Sequence, residues 1–294
     1  MKLPFIKMNG TGNDFVIFDA RKEKIALSPA QVKAIAGRGN SLTKGCDQVI
    51  IIEAPGSRLQ APEGSITSPK PEARSPKPDA FMRIYNADGS ESPSCGNATR
   101  CLGWLLHQET KRPKYVLETR AGIIECGVDA AKSTVGWANM GKPSFDWKDI
   151  PLANSMDTLH MEVGEGPLSD PVGVSMGNPH AVFFVNRVDD IDLKRFGPRI
   201  EHDPLFPERA NISVAQVNSP DNITLRVWER GTGETLACGT GACATLVAAV
   251  RRGLAQREAS IMVKGGLLGV HWLENGEVLF KGQVEKEFEG ELTL

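Results

Sequence analysis

Ser94-Cys95-Gly96-Asn97-Ala98-Thr99-Arg100-Cys101-Leu102-Gly103-Trp104-Leu105-Leu106 has a counterpart in Ala237-Cys238-Gly239-Thr240-Gly241-Ala242-Cys243-Ala244-Thr245-Leu246-Val247-Ala248-Ala249-Val250. In each stretch a cysteine, a glycine and a small polar residue precede an apolar run of helical length, Ala98 to Leu106 and Ala242 to Val250. That order marks a helix N-terminus. Free N–H groups and the positive end of the helix dipole favour anions there, a thiolate or a bound carboxylate among them. The placement is expected to lower a cysteine pKa from about 8.5 towards neutrality, where acid/base work is efficient. Both runs are apolar nearly all round, so each predicts a helix buried on every side.

Two copies imply a duplicated unit. Arg83-Ile84-Tyr85-Asn86 aligns with Arg226-Val227-Trp228-Glu229 at an offset of 143, as do Glu91 with Glu234 and Cys95 with Cys238. Gly122 aligns with Gly266 at 144, and upstream Gly12-Asn13 aligns with Gly177-Asn178 at 165. The excess of 22 matches the length of a Pro-rich insertion within residues 54–80, which holds six prolines and a tandem Ser-Pro-Lys-Pro. Such composition does not build a packed core and predicts a disordered loop. The fold class expected is α/β (α+β), in two pseudo-symmetric halves of short strands curled around a central apolar helix. The halves span 1–139 and 140–283, and a C-terminal strand, 284–294, returns to the first. The cysteines then face each other across a cleft between the halves.

Further elements follow from local signals. Phe5 to Met8 and Phe15 to Phe18 predict strands flanking the turn Asn9-Gly10-Thr11-Gly12-Asn13-Asp14. Ser28-Pro29 starts a helix towards Gly37. Asp192 to Ile200 predicts another, and Tyr115 to Thr119 with Gly122 to Val128 predict a hairpin joined at Arg120-Ala121.

Composition excludes several classes. Thirty-four basic against 36 acidic residues, a net charge of −2, give no argument for nucleic acid or an anionic membrane as partner. No apolar run approaches the roughly 20 residues of a membrane span. The N-terminal Met1-Lys2-Leu3-Pro4-Phe5 lacks a signal-peptide core, so the expected location is cytoplasmic, with six reduced cysteines. Cys46, Cys101, Cys126 and Cys243 are expected to be inert core residues.

Metal is not expected. Cys101 lies about 240° round a helix from Cys95, and Cys243 about 140° from Cys238, so neither pair converges on one ion. No C-x-x-C supports redox chemistry. A cysteine hydrolase with His180 as base would leave the second cysteine without work. Two weak acids on opposite walls of one cleft suit proton removal from one face of a carbon and delivery to the other, which is racemisation or epimerisation. The substrate carbon would need an adjacent carboxylate held by the helix N–H groups. Asn13, Gln48, Asn86, Asn178 and Asn211 offer neutral donors and acceptors, and Glu229-Arg230 offers opposite charges for a second ammonium and carboxylate.

Taken together, Gly12-Asn13-Asp14-Phe15, Asn86-Ala87-Asp88-Gly89-Ser90, Cys95-Gly96-Asn97 with Arg100-Cys101, Gly177-Asn178-Pro179-His180, Glu229-Arg230-Gly231 and Ala237-Cys238-Gly239-Thr240-Gly241 resemble the diaminopimelate epimerase family, in order over most of the chain. The resemblance implies a cofactor-independent isomerase that interconverts LL- and meso-2,6-diaminopimelate in lysine and cell-wall precursor biosynthesis. It implies Cys95 and Cys238 as the two acid/bases. Asn13, Gln48, Asn86, Gly96, Asn97, Asn178, Asn211, Glu229, Arg230, Gly239 and Thr240 are implied to hold substrate, with His180 and Glu229 tuning the thiols. It also implies a homodimer. The chain departs from the family pattern at Ala98, where a glycine is usual, and in its Pro-rich insertion. A related racemase of another amino acid would keep both cysteines and change the distal clamp. A non-catalytic ligand-binding relative would have lost one cysteine.

Overall fold

A computed structural model describes residues 2–56 and 76–293. The expected Pro-rich loop lies, from 57 to 75, outside the described residues. The chain divides into two compact units, Met1–Ala138 with Gln283–Leu294, and Asn139–Gly282.

The first unit begins with β1 (Lys2–Asn9), β2 (Asp14–Ala20), α1 (Pro29–Ala36), β3 (Gln48–Glu53), β4 (Ala80–Asn86) and the two-residue β5 (Glu91–Ser92). It continues through α2 (Gly96–Thr110), β6 (Lys114–Thr119), β7 (Gly122–Val128) and β8 (Val135–Asn139). The second unit holds β9 (Val172–Ser175), β10 (Pro179–Phe184), α3 (Leu193–Glu201), β11 (Asn211–Ser219), β12 (Asn222–Glu229) and β13 (Gly233–Glu234). Then come α4 (Gly239–Arg251), β14 (Glu258–Val263), β15 (Gly266–Trp272) and β16 (Val278–Gln283). The last strand, β17 (Glu285–Thr293), pairs antiparallel with β1 of the first unit.

The two pairing schemes are the same. β2 lies parallel to β3 as β10 does to β11, and β3 is antiparallel to β4 as β11 is to β12. β4 then pairs with the short β5 and, in parallel, with β6, as β12 does with β13 and β14. Tyr85 opposes Glu91 where Trp228 opposes Glu234, so the repeat offset of 143 holds at the level of register.

Each unit covers both faces of its strands with a helix, which explains the uninterrupted apolar run Val49-Ile50-Ile51-Ile52. Phe15, Ile17, Ile50 and Ile52 pack in the α2 core, and the alternate residues Val16, Phe18, Val49 and Ile51 in the α1 core. In the second unit Val182 and Ala215 pack towards α4, and Ala181, Phe183, Ile212 and Val214 towards α3. α4 is the more enclosed helix, with every residue from Gly241 to Ala249 buried. At about 1.5–3 kcal/mol for each large apolar side chain removed from water, packing rather than propensity holds such a helix in place. Both central helices start earlier than their apolar runs because the cysteines themselves act as N-caps. Among the described residues no helix is long and apolar enough to cross a membrane.

Candidate active site

Cys95 and Cys238 occupy the same local geometry. Each is the N-cap residue with extended backbone (φ −153°, ψ 111° and φ −124°, ψ 111°), and each sulfur accepts the N–H three residues on. Ala98 donates to Cys95 Sγ at 3.5 Å and Gly241 to Cys238 Sγ at 3.4 Å. A sulfur in the acceptor role at a helix N-terminus is placed to become an anion. The other four cysteines are buried thiols within the cores. Burial pushes Cys46 up to about 11 and Cys101 up to about 12.

Around Cys238 the neighbours form one chain of hydrogen bonds. Asn178 Nδ2 donates to Thr240 Oγ1 at 3.2 Å, and Thr240 Oγ1 lies 3.6 Å from Cys238 Sγ. His180 Nε2 is 3.0 Å from Asn178 Oδ1. His180 is completely buried, and burial, with the nearby Arg230 charge, lowers its pKa to about 3. It is therefore neutral near pH 7 and donates through Nε2, which fixes the Asn178 amide. Glu229 also bonds the Cys238 sulfur and accepts a short hydrogen bond from the Thr235 hydroxyl.

These surroundings reverse one expectation. The helix end was expected to bring the cysteine pKa down, yet Cys238 stands well above its ordinary value. Burial is the main cause and the Glu229 carboxylate the second; Thr240 and the Gly241 N–H pull the other way. Glu229 is itself raised by burial, against the hydrogen bonds from Thr235 and Cys238. Near pH 7 Cys238 is therefore the thiol.

In the first unit, Gln48 Nε2 donates to Asn86 Oδ1 at 3.0 Å, and Asn86 Nδ2 donates to Ser90 Oγ at 3.0 Å. Gln48 Oε1 and Asn13 Oδ1 are buried and accept no hydrogen bond among the described residues. Two unused acceptors favour a donor such as an ammonium. Asn13 follows Gly12 (φ +82°) as Asn178 follows Gly177 (φ +85°), a left-handed turn that glycine supplies at both repeat positions. Asn97 Oδ1 accepts from the fully buried Arg100 at 2.8 Å.

The chain matches the family described as diaminopimelate epimerase over residues 5–145 and 172–287. It is 47% identical over 289 residues to the diaminopimelate epimerase of Acidiphilium cryptum, covering 98% of this chain and 96% of that protein. The enzyme of the same name from Rhodospirillum centenum is also 47% identical over 289 residues, with 98% and 92% covered. The chain belongs to the diaminopimelate epimerase family.

Solved structures extend the likeness of fold beyond the diaminopimelate epimerase family. A Pseudomonas aeruginosa protein described as a predicted epimerase superposes with a TM-score of 0.64 at 18% identity, covering 99% of each chain. A hydroxyproline epimerase from Agrobacterium vitis gives 0.60 at 12% identity, covering 99% of this chain and 91% of that one.

Of the residues implied by likeness to diaminopimelate epimerases, the structure joins Cys238, Thr240, Asn178, His180 and Glu229 in one network. It joins Gln48 to Asn86 separately. Asn211 contributes through Nδ2, which donates to Pro179 O at 2.9 Å, and through Oδ1, which accepts the Arg230 N–H at 3.0 Å. Gly96 and Gly239 are the first helical residues after the two caps, and Asn97 and Thr240 the second.

Several contributors escaped the sequence reading of this diaminopimelate epimerase relative. Buried Glu201 accepts from Trp228 Nε1 at 2.7 Å and from the Gly231 N–H at 2.8 Å, and so holds the Glu229-Arg230 turn. Asp14 and Asp47 each accept the other's main-chain N–H, at 2.9 and 3.0 Å, directly beside Asn13 and Gln48. Burial alone would raise the Asp14 carboxyl, but Arg38 and the buried Lys7 hold it far below the usual range. Adjacency to Asn13 and Gln48 was the available signal for the aspartates. Glu201 offered none.

Proposed function

We propose that the chain interconverts LL- and meso-2,6-diaminopimelate by a two-base mechanism in which Cys95 and Cys238 address opposite faces of one α-carbon. One cysteine, as thiolate, takes the α-hydrogen; the other, as thiol, delivers its proton to the opposite face. The bond electrons left on carbon are delocalised into the adjacent carboxylate, and the total charge is unchanged. The observation that carries this reading is the duplicated N-cap geometry, with a sulfur in the acceptor role at each helix start. N–H groups there stabilise a carboxylate as it gains enolate character. The unused acceptors Asn13 Oδ1 and Gln48 Oε1 suit a substrate ammonium. Glu229 and Arg230 suit the distal ammonium and carboxylate. Asn86, Asn97, Asn178, Asn211, Gly96, Gly239 and Thr240 complete the substrate shell, while His180 and Glu229 tune the thiols. No cofactor enters the balance. The reading includes a homodimer in the cytoplasm, where six free thiols are stable.

The test is epimerisation of LL-diaminopimelate in deuterated water. Product formed early should carry deuterium at its inverted carbon while remaining substrate stays almost unlabelled. Cys95→Ala and Cys238→Ala should each abolish inversion. Substantial epimerisation by either variant would sink the two-thiol mechanism.

A further inference from the structure

Each cysteine is reached through a short segment that a hairpin tip holds down in the same manner in both units. Before Cys95, Glu91 accepts from Arg83 Nη1 at 3.1 Å and from Arg120 Nε at 2.5 Å, and Pro93 O accepts the Ala121 N–H at 3.1 Å. Before Cys238, Glu234 accepts from Arg226 Nε at 2.8 Å and pairs with Lys264 Nζ at 2.7 Å, and Leu236 O accepts the Gly265 N–H at 2.7 Å. Arg120-Ala121 is the two-residue tip joining β6 to β7, and Lys264-Gly265 is the tip joining β14 to β15.

The match extends to the anchors beneath. Arg83 also forks onto the Glu53 carboxylate at 2.8 and 3.1 Å. Arg226 Nη1 also donates to the carbonyls of Val188 and Ile191 at 2.8 Å each. A guanidinium fixed at both ends is a stiff support. Residue identities have meanwhile diverged: arginine and alanine at one tip, lysine and glycine at the other, with Pro93 at the position equivalent to Leu236. What both units retain is a cation and an N–H gripping the chain four and two residues before the cysteine. A device kept in two diverged copies, each beside an acid/base residue, points to placement of that residue.

We propose that the hairpin tips Arg120-Ala121 and Lys264-Gly265 are positioning elements, each fixing one sulfur, Cys95 and Cys238 respectively, against the reacting carbon. The inference rests on the two-thiol reading above. Misplacement of a reacting group by an ångström costs on the order of a hundredfold in rate, so loosening one tip should slow the proton transfer at its own cysteine.

The experiment measures exchange of the reacting α-hydrogen with deuterated water, separately from LL- and meso-diaminopimelate, by proton NMR. Cys95→Ala and Cys238→Ala first show which stereoisomer each thiol deprotonates. Arg120→Met should slow exchange from the stereoisomer lost in Cys95→Ala by about tenfold or more, with the other changed by less than about twofold. Lys264→Met should give the mirror result, and Arg120→Lys and Lys264→Arg should restore most of each rate. Partial unfolding lowers both exchange rates together and leaves their ratio intact. Should a methionine variant not fold, Glu91→Gln and Glu234→Gln carry the same ratio test. Equal slowing of both stereoisomers, or none, would overturn the positioning role. If the cysteine variants do not lose opposite stereoisomers, the two-thiol reading itself falls.

Discussion

Asn178 Nδ2 donates to Thr240 Oγ1 at 3.2 Å, and Thr240 Oγ1 lies 3.6 Å from Cys238 Sγ, where its hydrogen bond pulls the thiol pKa down. Glu229 also bonds the sulfur and pushes the thiol pKa up. Thr240 therefore favours the thiolate and Glu229 the thiol. A hydrogen bond to a charged group is worth about 1.5–3 kcal/mol. Thr240→Val should lower turnover near pH 7 by about ten- to a hundredfold and move the alkaline approach to full activity to higher pH. Thr240→Ser, which keeps the donor, should stay near the parent. The pH dependence of kcat for the three proteins checks this.

Glu229→Gln should separate thiol reactivity from catalysis. Burial and the neighbouring carboxylate both push the Cys238 thiol up, in that order. Removing the negative charge lowers the thiol pKa, so alkylation of Cys238 by iodoacetamide at a fixed pH should quicken. Epimerisation should fall, because the same carboxylate is proposed to hold substrate. Mass spectrometry of the alkylated peptide and a stereoisomer assay on the same sample give both readings. Slower alkylation would contradict the assigned electrostatics.

His180 sets an acid limit on stability. Its folded pKa of about 3 lies below its ordinary value of 6.5, chiefly through burial. Above 6.5 the group is neutral in both states and costs nothing. As pH falls below 6.5 the unfolded chain binds a proton that the folded chain refuses, so stability declines towards pH 3. Each pH unit crossed below 6.5 removes about 1.4 kcal/mol. His180→Gln should flatten the decline between pH 6.5 and 4.5, as read from urea midpoints. An unchanged slope would show that His180 is protonated in the folded protein.

The Pro-rich insertion should be dispensable for folding. Glu53 and Phe81 are direct antiparallel partners, so the ladder on either side of residues 57–75 is already closed. Loop length enters closure entropy only logarithmically. Joining Gly56 to Pro76 should change the melting temperature by no more than a few degrees and leave epimerisation within about twofold. A large loss of either would assign the segment a role in the body of the protein.

Much of this was legible because the information is local or periodic. The all-round apolar faces of Ala98 to Leu106 and Ala242 to Val250 named the central helices, and the 143-residue offset fixed the repeat without any pairing being known. Ser28-Pro29 announced α1, where Ser28 and Gln31 form a capping box. The residues around Cys238 were named through the family resemblance, but the upward direction of its pKa was not legible. A helix N-terminus is visible in sequence, but burial and the approach of Glu229 from β12 are tertiary facts, and they outweigh it. The grip of Arg120 on Glu91 likewise joins residues 29 apart, and the sequence marks only the two ends.

The return of β17 to β1 has a consequence for the nascent chain. β1 is flanked by β2 on one side and β17 on the other, and Val284 and Leu292 fill the two cores of the first unit. The second unit, Asn139–Gly282, is encoded between them. At about 5–20 residues per second, its translation keeps β1 with a bare edge for roughly 7–30 s. The first unit therefore gains its closing strand only after the whole of the second unit has been synthesised.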